Sequence, residues 1–140
     1  MNHLKQQKIN VYEEFLAHFN KQSKTLVLEW IKKVMELYYD AGYSDYNNQV
    51  IMLIDAHIKG NHNVVEARNL ALKIHKLAKI RQNDQQFYLR ALAHMVSTIH
   101  VKTHALKCCD YIIKMVQFKT KDNDLVIGER LRQIVLLTNN

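Results

Sequence analysis

Apolar residues recur along this chain at spacings of three and four, the period of a helix that buries one side. The period predicts helices over about 5–19, 23–39 and 47–59, from 63 to the polar turn at 81–84, over 84–119, and over 125–137. Alternation with a period of two is absent, and the Asn-Gly, Asp-Gly and Pro-Gly pairs typical of hairpins are missing. The pattern predicts an all-α fold of about six or seven helices, arranged as a bundle or a helical-hairpin stack.

The stretch 84–119 is the centre of the predicted fold, because apolar residues cover more than one side of it. As one helix it would measure roughly 50 Å, at about 1.5 Å per residue. A domain of this size has a radius of gyration of only about 14 Å. We therefore expect a break near Val101–Thr103, with Thr103 as the N-cap of a new helix.

The ends and faces of the other helices follow from local signals. Gly42 and Gly60 are expected to stop the second and third helices, and Asn63 to cap the fourth through a capping box with Glu66. Asn83 or Asp84 should cap the fifth. The third helix is apolar nearly all round, which favours a central position. In the last helix, we expect Ile127, Leu131 and Ile134 to face inward.

Length and composition indicate one domain, residues 1–140, with a real hydrophobic core. The net charge of +7 permits binding to nucleic acid, an anionic membrane or an acidic protein. Basic residues at helical spacing form a stripe of Lys73, Lys76, Lys79 and Arg81. A solvated helix face is the favoured interpretation of this stripe, and a nucleic-acid-binding helical module is the alternative.

Cysteine usage and the N-terminus bear on the compartment. Cys108 and Cys109 are adjacent and cannot staple the fold by pairing with each other, which indicates reduced thiols. The N-terminal residues lack the apolar core of a signal peptide, and no run of about 18 apolar residues occurs. We therefore expect a cytoplasmic protein that does not cross a membrane.

Catalytic and cofactor motifs are absent from the sequence. It contains no glycine-rich phosphate loop, no GxSxG and no HExxH. His100, His104 and Cys108 lie at i, i+4 and i+8, a spacing that could bring imidazole and thiolate to one zinc ion. A fourth ligand of matching spacing is missing, and the predicted break separates the two histidines. We expect no metal, no cofactor and no enzyme activity, with each histidine hydrogen-bonded to a backbone carbonyl or exposed.

The residues from Thr98 to Leu106 read Thr-x-His-Val-x-x-His-Ala-Leu. This motif resembles one in the immunity proteins that are encoded beside bacterial polymorphic toxins, an all-helical family. Ile99 stands where that family usually has Ala, and Lys107 stands where it usually has Gly. Upstream, the family's Ala-Arg … Ala-His helix is matched by Ala67, Arg68, Ala71 and His75. The resemblance covers residues 64–115, a little over a third of the chain.

The resemblance implies a protein that binds a toxin and blocks it, with no chemistry of its own. Its family positions fall on Arg68, His75, His100 and His104, as structural or partner-binding residues. We expect His100 in the last turn of one helix and His104 in the first turn of the next, where the helix dipole disfavours protonation. The positive net charge favours a target with an acidic surface.

Overall fold

The computed structural model describes the backbone of residues 2–139 and the side chains of residues 10–139. Within the described range the chain is 82% helical and has no strand, which confirms the all-α prediction. The elements, in chain order, are α1 (Asn2–Lys21), α2 (Lys24–Glu36), a 3-10 turn (Ala41–Tyr43), α3 (Ser44–Ile58), α4 (Val64–Lys79), α5 (Asn83–Ser97), α6 (His104–Thr120) and α7 (Asn123–Thr138).

Helices α4 to α7 pack in chain order, α4 on α5, α5 on α6 and α6 on α7. The links between them are short, so successive helices run antiparallel, as in a stack of helical hairpins. Helix α2 lies across this stack and contacts α5, α6 and α7, while α3 contacts α4 and α5. One cluster of buried side chains receives residues from every helix, among them Phe15, Trp30, Ile54, Ile74, Leu92, Ile112 and Leu137.

The predicted break inside 84–119 is confirmed. Helix α5 ends at Ser97 and α6 begins at His104. Thr103 is the N-cap residue, as expected, but its side chain makes no capping hydrogen bond. Helix α5 buries seven of its side chains, because it packs against α4, α6, α3 and α2.

Two of the predicted helix stops can be compared directly. Gly60 adopts a φ of +106° just after α3, a conformation that favours glycine, so this stop is confirmed. Gly42 does not end α2, which stops earlier at Glu36. Gly42 lies instead in the 3-10 turn, where its backbone N–H donates to Oδ1 of Asp40 at 2.8 Å.

The predicted helix starts were partly wrong. Asn63 is the N-cap residue of α4 but does not cap it through its side chain. Its Nδ2 donates to the carbonyl of Leu53 at 2.9 Å and so ties the start of α4 to α3. The N-cap of α5 is Gln82, rather than the predicted Asn83 or Asp84. At Asn63, therefore, a hydrogen bond to α3 replaces the predicted capping hydrogen bond within α4.

The predicted central position of α3 was wrong, and the predicted inward face of α7 was partly wrong. Helix α3 is not central, because it buries only Val50 and Ile54 and leaves Met52 exposed. In α7, Ile134 packs against the core as predicted, but Leu131 is exposed and Ile127 is only partly buried. The fully buried residues of α7 are Glu129, Gln133 and Leu137. The last helix therefore turns two polar side chains toward the interior.

Candidate functional site

The four family positions fall into two groups in the structure. His75 on α4 and His104 at the start of α6 are half-buried, and both rings contact His94 on α5. Arg68 on α4 and His100 in the turn after α5 are exposed. The motif thus combines inward-facing and outward-facing positions.

The inward group extends to a histidine cluster, defined here as His75, Arg90, His94, His104 and Tyr111. His94 stacks on Tyr111 with ring centroids 5.5 Å apart and on His104 at 5.2 Å, at interplanar angles of 12° and 23°. His75 meets the ring of His94 edge-on, 5.1 Å between centroids. The cluster therefore connects α4, α5 and α6 through contacts between their side-chain rings.

Two polar contacts restrict which ring nitrogens of this cluster carry protons. Nη1 of Arg90 lies 2.6 Å from Nδ1 of His75, and a guanidinium can only donate. Nδ1 of His75 must then accept, so neutral His75 carries its proton on Nε2. Nδ1 of His94 lies 3.0 Å from Nδ1 of His104, so one of these two rings donates and the other accepts. This contact requires at least one neutral imidazole.

The surroundings of the cluster disfavour protonation. Burial is the largest cause and lowers the pKa of His94 to about 4, with further contributions from the two neighbouring histidines, Lys107 and Arg90. Burial also lowers the pKa values of His75 and His104 from their usual value of 6.5. The pKa of His104 is lowered, which is the expected direction, but the causes are burial, then Lys107 and His100, rather than the predicted helix dipole.

Local helix geometry explains the arrangement. Arg90 and His94 are one turn apart on α5, and His104 and Tyr111 are two turns apart on α6, so each pair shares a face. The sequence interpretation missed Arg90, His94 and Tyr111. Their i, i+4 and i, i+7 spacings were visible, but nothing in the sequence showed that the two faces meet.

The expected environments of the motif histidines need correction. Nδ1 of His104 pairs with another imidazole, rather than with a backbone carbonyl. His100 does not lie in the last turn of α5, which ends at Ser97, but in the following turn, where its backbone N–H donates to the Ser97 carbonyl at 3.0 Å. It is exposed and lies outside the histidine cluster.

Potential metal ligands and thiols are the remaining side chains with chemistry of their own. Across the part of the chain that is described, no group of three His, Cys, Asp or Glu side chains is placed to hold a metal ion. Cys108 is completely buried, and burial raises the pKa of its thiol well above the usual value. A buried neutral thiol is a poor nucleophile, because the thiolate is the reactive form.

A second polar group explains the inward side of α7. The buried carboxylate of Glu129 accepts hydrogen bonds from the hydroxyl of Tyr38, from Nε of Arg132 at 2.9 Å and from Nε2 of Gln133 at 3.0 Å. The indole N–H of Trp30 donates to the backbone carbonyl of Gln133 at 3.0 Å. These bonds hold α7 against α2, and the charge of Glu129 is compensated by Arg132.

The basic stripe on α4 is only partly as predicted. Lys73, Lys76 and Lys79 are exposed. Arg81 lies beyond the end of α4, and its Nε donates to the hydroxyl of Tyr43 at 3.3 Å. The outer side of α4 therefore remains positively charged without Arg81.

Comparison with known proteins gives one match. Curated proteins and solved structures gave no match, and none of the described helices is long and apolar enough to cross a membrane. A family model described as "Imm-5 like putative immunity protein" matches residues 17–140. This span includes the resemblance seen at residues 64–115 and extends it in both directions. Because the match covers far more than half of the chain, the protein belongs to this Imm-5 like family of immunity proteins.

Proposed function

We propose that this chain is a bacterial immunity protein that neutralises a cognate toxin by direct binding, acts in the cytoplasm and has no enzyme activity. The observation that carries the proposal is the family match over residues 17–140. The low reactivity expected of the buried Cys108 thiol supports a binding role rather than thiol catalysis.

The four family positions take two roles in this proposal. His75 and His104 are structural residues that hold α4, α5 and α6 together through His94. Arg68 and His100 are exposed and available to a partner. The partner is a protein, and residues 1–140 act as one domain in the complex, because every helix contributes to one cluster of buried side chains.

The test is co-expression with the toxic domain encoded by the neighbouring open reading frame. We expect cells that make the toxin domain to grow only when this chain is present, and the two proteins to elute together as a 1:1 complex. Rescue should require at least equal amounts, because a binding inhibitor acts stoichiometrically. Rescue at a small fraction of the toxin concentration, with a changed toxin mass, would instead indicate an enzyme.

The alternative function, a nucleic-acid-binding module, is favoured by the exposed lysines of α4. A titration with duplex DNA at several salt concentrations tests it. Contacts to phosphates make log K fall linearly with log salt, by about 0.9 per phosphate neutralised. Tight binding with such a slope, together with no toxin complex, would support the alternative.

A further inference from the structure

The outer face of α4 is the side turned away from the helical stack. Helix α4 buries Ala67, Leu70, Ala71, Ile74 and Ala78, and it packs along α5 and against α3. On the opposite side, large apolar side chains are exposed: Val65 is 66% exposed, Leu72 60% and Ile80, at the C-cap, 71%. Exposure at this level places these side chains in solvent, rather than at the edge of the core.

Positive charge surrounds the middle of this face. At about 100° per residue, Arg68, Lys76 and Lys79 all lie within about 40° of Leu72 around the helix axis. All three are exposed, and none of their side chains has a hydrogen bond or ion pair with another described residue. Glu66 is the only acidic residue of α4 and lies about 120° from Leu72.

An apolar centre with a basic rim is typical of a protein-binding surface. The core of such an interface is depleted in charge, and polar groups at the rim direct the encounter. A binding face for duplex DNA gains most from phosphate contacts, and Val65 and Leu72 contribute nothing to those. A second copy of this chain would bring like charges together, which disfavours self-association through this face.

We propose that the outer face of α4 is the docking surface for the toxin, and that the toxin presents an acidic surface with an apolar hollow that receives Leu72. This inference rests on the proposed function. Arg68, Lys76 and Lys79 would meet carboxylates around the hollow. Of the family positions on α4, Arg68 is thus the partner-contact residue and His75 the structural one.

The size of the face sets a limit on the contact. Helix α4 has 16 residues, so its outer face measures about 24 Å by about 10 Å. A standard protein interface buries about 800 Å² on each partner. The partner must therefore extend beyond α4, and we expect the face to form the centre of the contact.

The first variant reverses charge on this face. Lys76→Glu combined with Lys79→Glu changes two exposed lysines in the last turn of α4. The matched control combines Lys21→Glu and Lys59→Glu, which are exposed at the C-terminal ends of α1 and α3, so the loss of favourable charge at a helix end is similar. Binding of the toxin domain from the neighbouring reading frame is measured at low and high salt, with melting curves to verify folding. At low salt the α4 variant should associate about tenfold more slowly or worse, and the control should match the unaltered chain.

The second variant places a carboxylate at the centre of the face. Leu72→Asp should raise Kd by about 30-fold or more, the level of an interface hot spot. Leu131→Asp is the matched control, because Leu131 is an exposed leucine on α7. Both variants should melt close to the unaltered chain, since both positions face solvent.

The outcomes separate the two proposals. Loss of binding by the α4 variants alone supports the surface. Full binding by those variants, while the unaltered chain also binds, overturns the surface and leaves the proposed function standing. Absence of a complex with the unaltered chain overturns both. If the α4 substitutions abolish binding to duplex DNA but not to the toxin domain, the face serves nucleic acid and the proposal is wrong.

Discussion

Acid should weaken the fold through the histidine cluster. The folded-state pKa of His94 is lowered to about 4, below its usual value of 6.5, and the pKa values of His75 and His104 are lowered in the same direction. Below about pH 6.5 the unfolded chain therefore binds more protons at these histidines than the folded chain does. The stability contributed by this effect is complete above about pH 6.5 and is lost as the pH falls from there toward about 4.

The magnitude follows from His94. A change from 6.5 to about 4 corresponds to about 3 kcal/mol, at 1.36 kcal/mol per pKa unit. Because part of the ring meets solvent, we expect roughly half of that, about 1 to 2 kcal/mol. Protonation would also place N–H groups of His94 and His104 against each other across a 3.0 Å contact. Arg90 beside His75 and Lys107 near His104 add to the repulsion.

Urea denaturation at about pH 7.5 and about pH 5 measures this loss, for the parent and for His94→Gln. The variant loses the stacked ring and should be less stable at both values, so the readout is the difference between them. That difference should be smaller in His94→Gln by about 1 kcal/mol. His62→Gln is the control, because His62 is exposed in the link before α4. If His94→Gln loses as much stability as the parent on acidification, the reasoning is refuted.

Three further predictions follow from the polar contacts. Glu129→Leu should cost about 3 kcal/mol in urea denaturation, because it leaves Arg132 and Gln133 without their buried acceptor. His104→Ala should lower the free energy of unfolding by about 1–3 kcal/mol, because His104 is packed in the histidine cluster. His100→Ala should lower it by less than about 0.5 kcal/mol, because His100 is exposed. Equal losses in the two variants would contradict this division of roles. A chelator should leave the melting temperature unchanged, because a structural metal site contributes folding free energy outright; a fall of many degrees would establish such a site.

The sequence was sufficient for the helices and the central break because both depend on local physics. The break between α5 and α6 was predicted because a single helix over 84–119 would be too long for a domain of this size. The end of α3 at Gly60 was predicted because glycine adopts a positive φ without steric cost. These signals lie within a few residues of the feature they determine. The helices were therefore predictable, and most boundaries were wrong by only a few residues.

The inward face of α7 could not be predicted because it depends on distant partners. The spacing of Ile127, Leu131 and Ile134 is regular and would normally mark the buried side. The structure packs Ile134 against the core but exposes Leu131 and buries Glu129 and Gln133. Tyr38, which lies 91 residues away in the chain, supplies a donor to Glu129. A buried carboxylate is tolerated only when such partners are present, and no sequence period reveals them.

The histidine motif was hard to interpret because one helix can carry both residues that pack against its neighbours and residues that face solvent. His75 lies on the flank of α4, between the buried side and the outer face. Its ring contacts His94, and its Nδ1 accepts from Arg90. Together with the buried Ala67, Leu70 and Ile74, these contacts hold α4 in one rotation about its axis.

Rotation is what decides whether Arg68 and Leu72 can act together. Consecutive residues are about 100° apart around a helix, so a turn of α4 by one residue would bury part of its charged face. The histidine cluster would then serve binding without touching the partner, by holding the outer face in one orientation. Under the proposed function, structural and contact roles of the family positions would be complementary: His75 and His104 would hold α4 in one orientation, and Arg68 would contact the toxin.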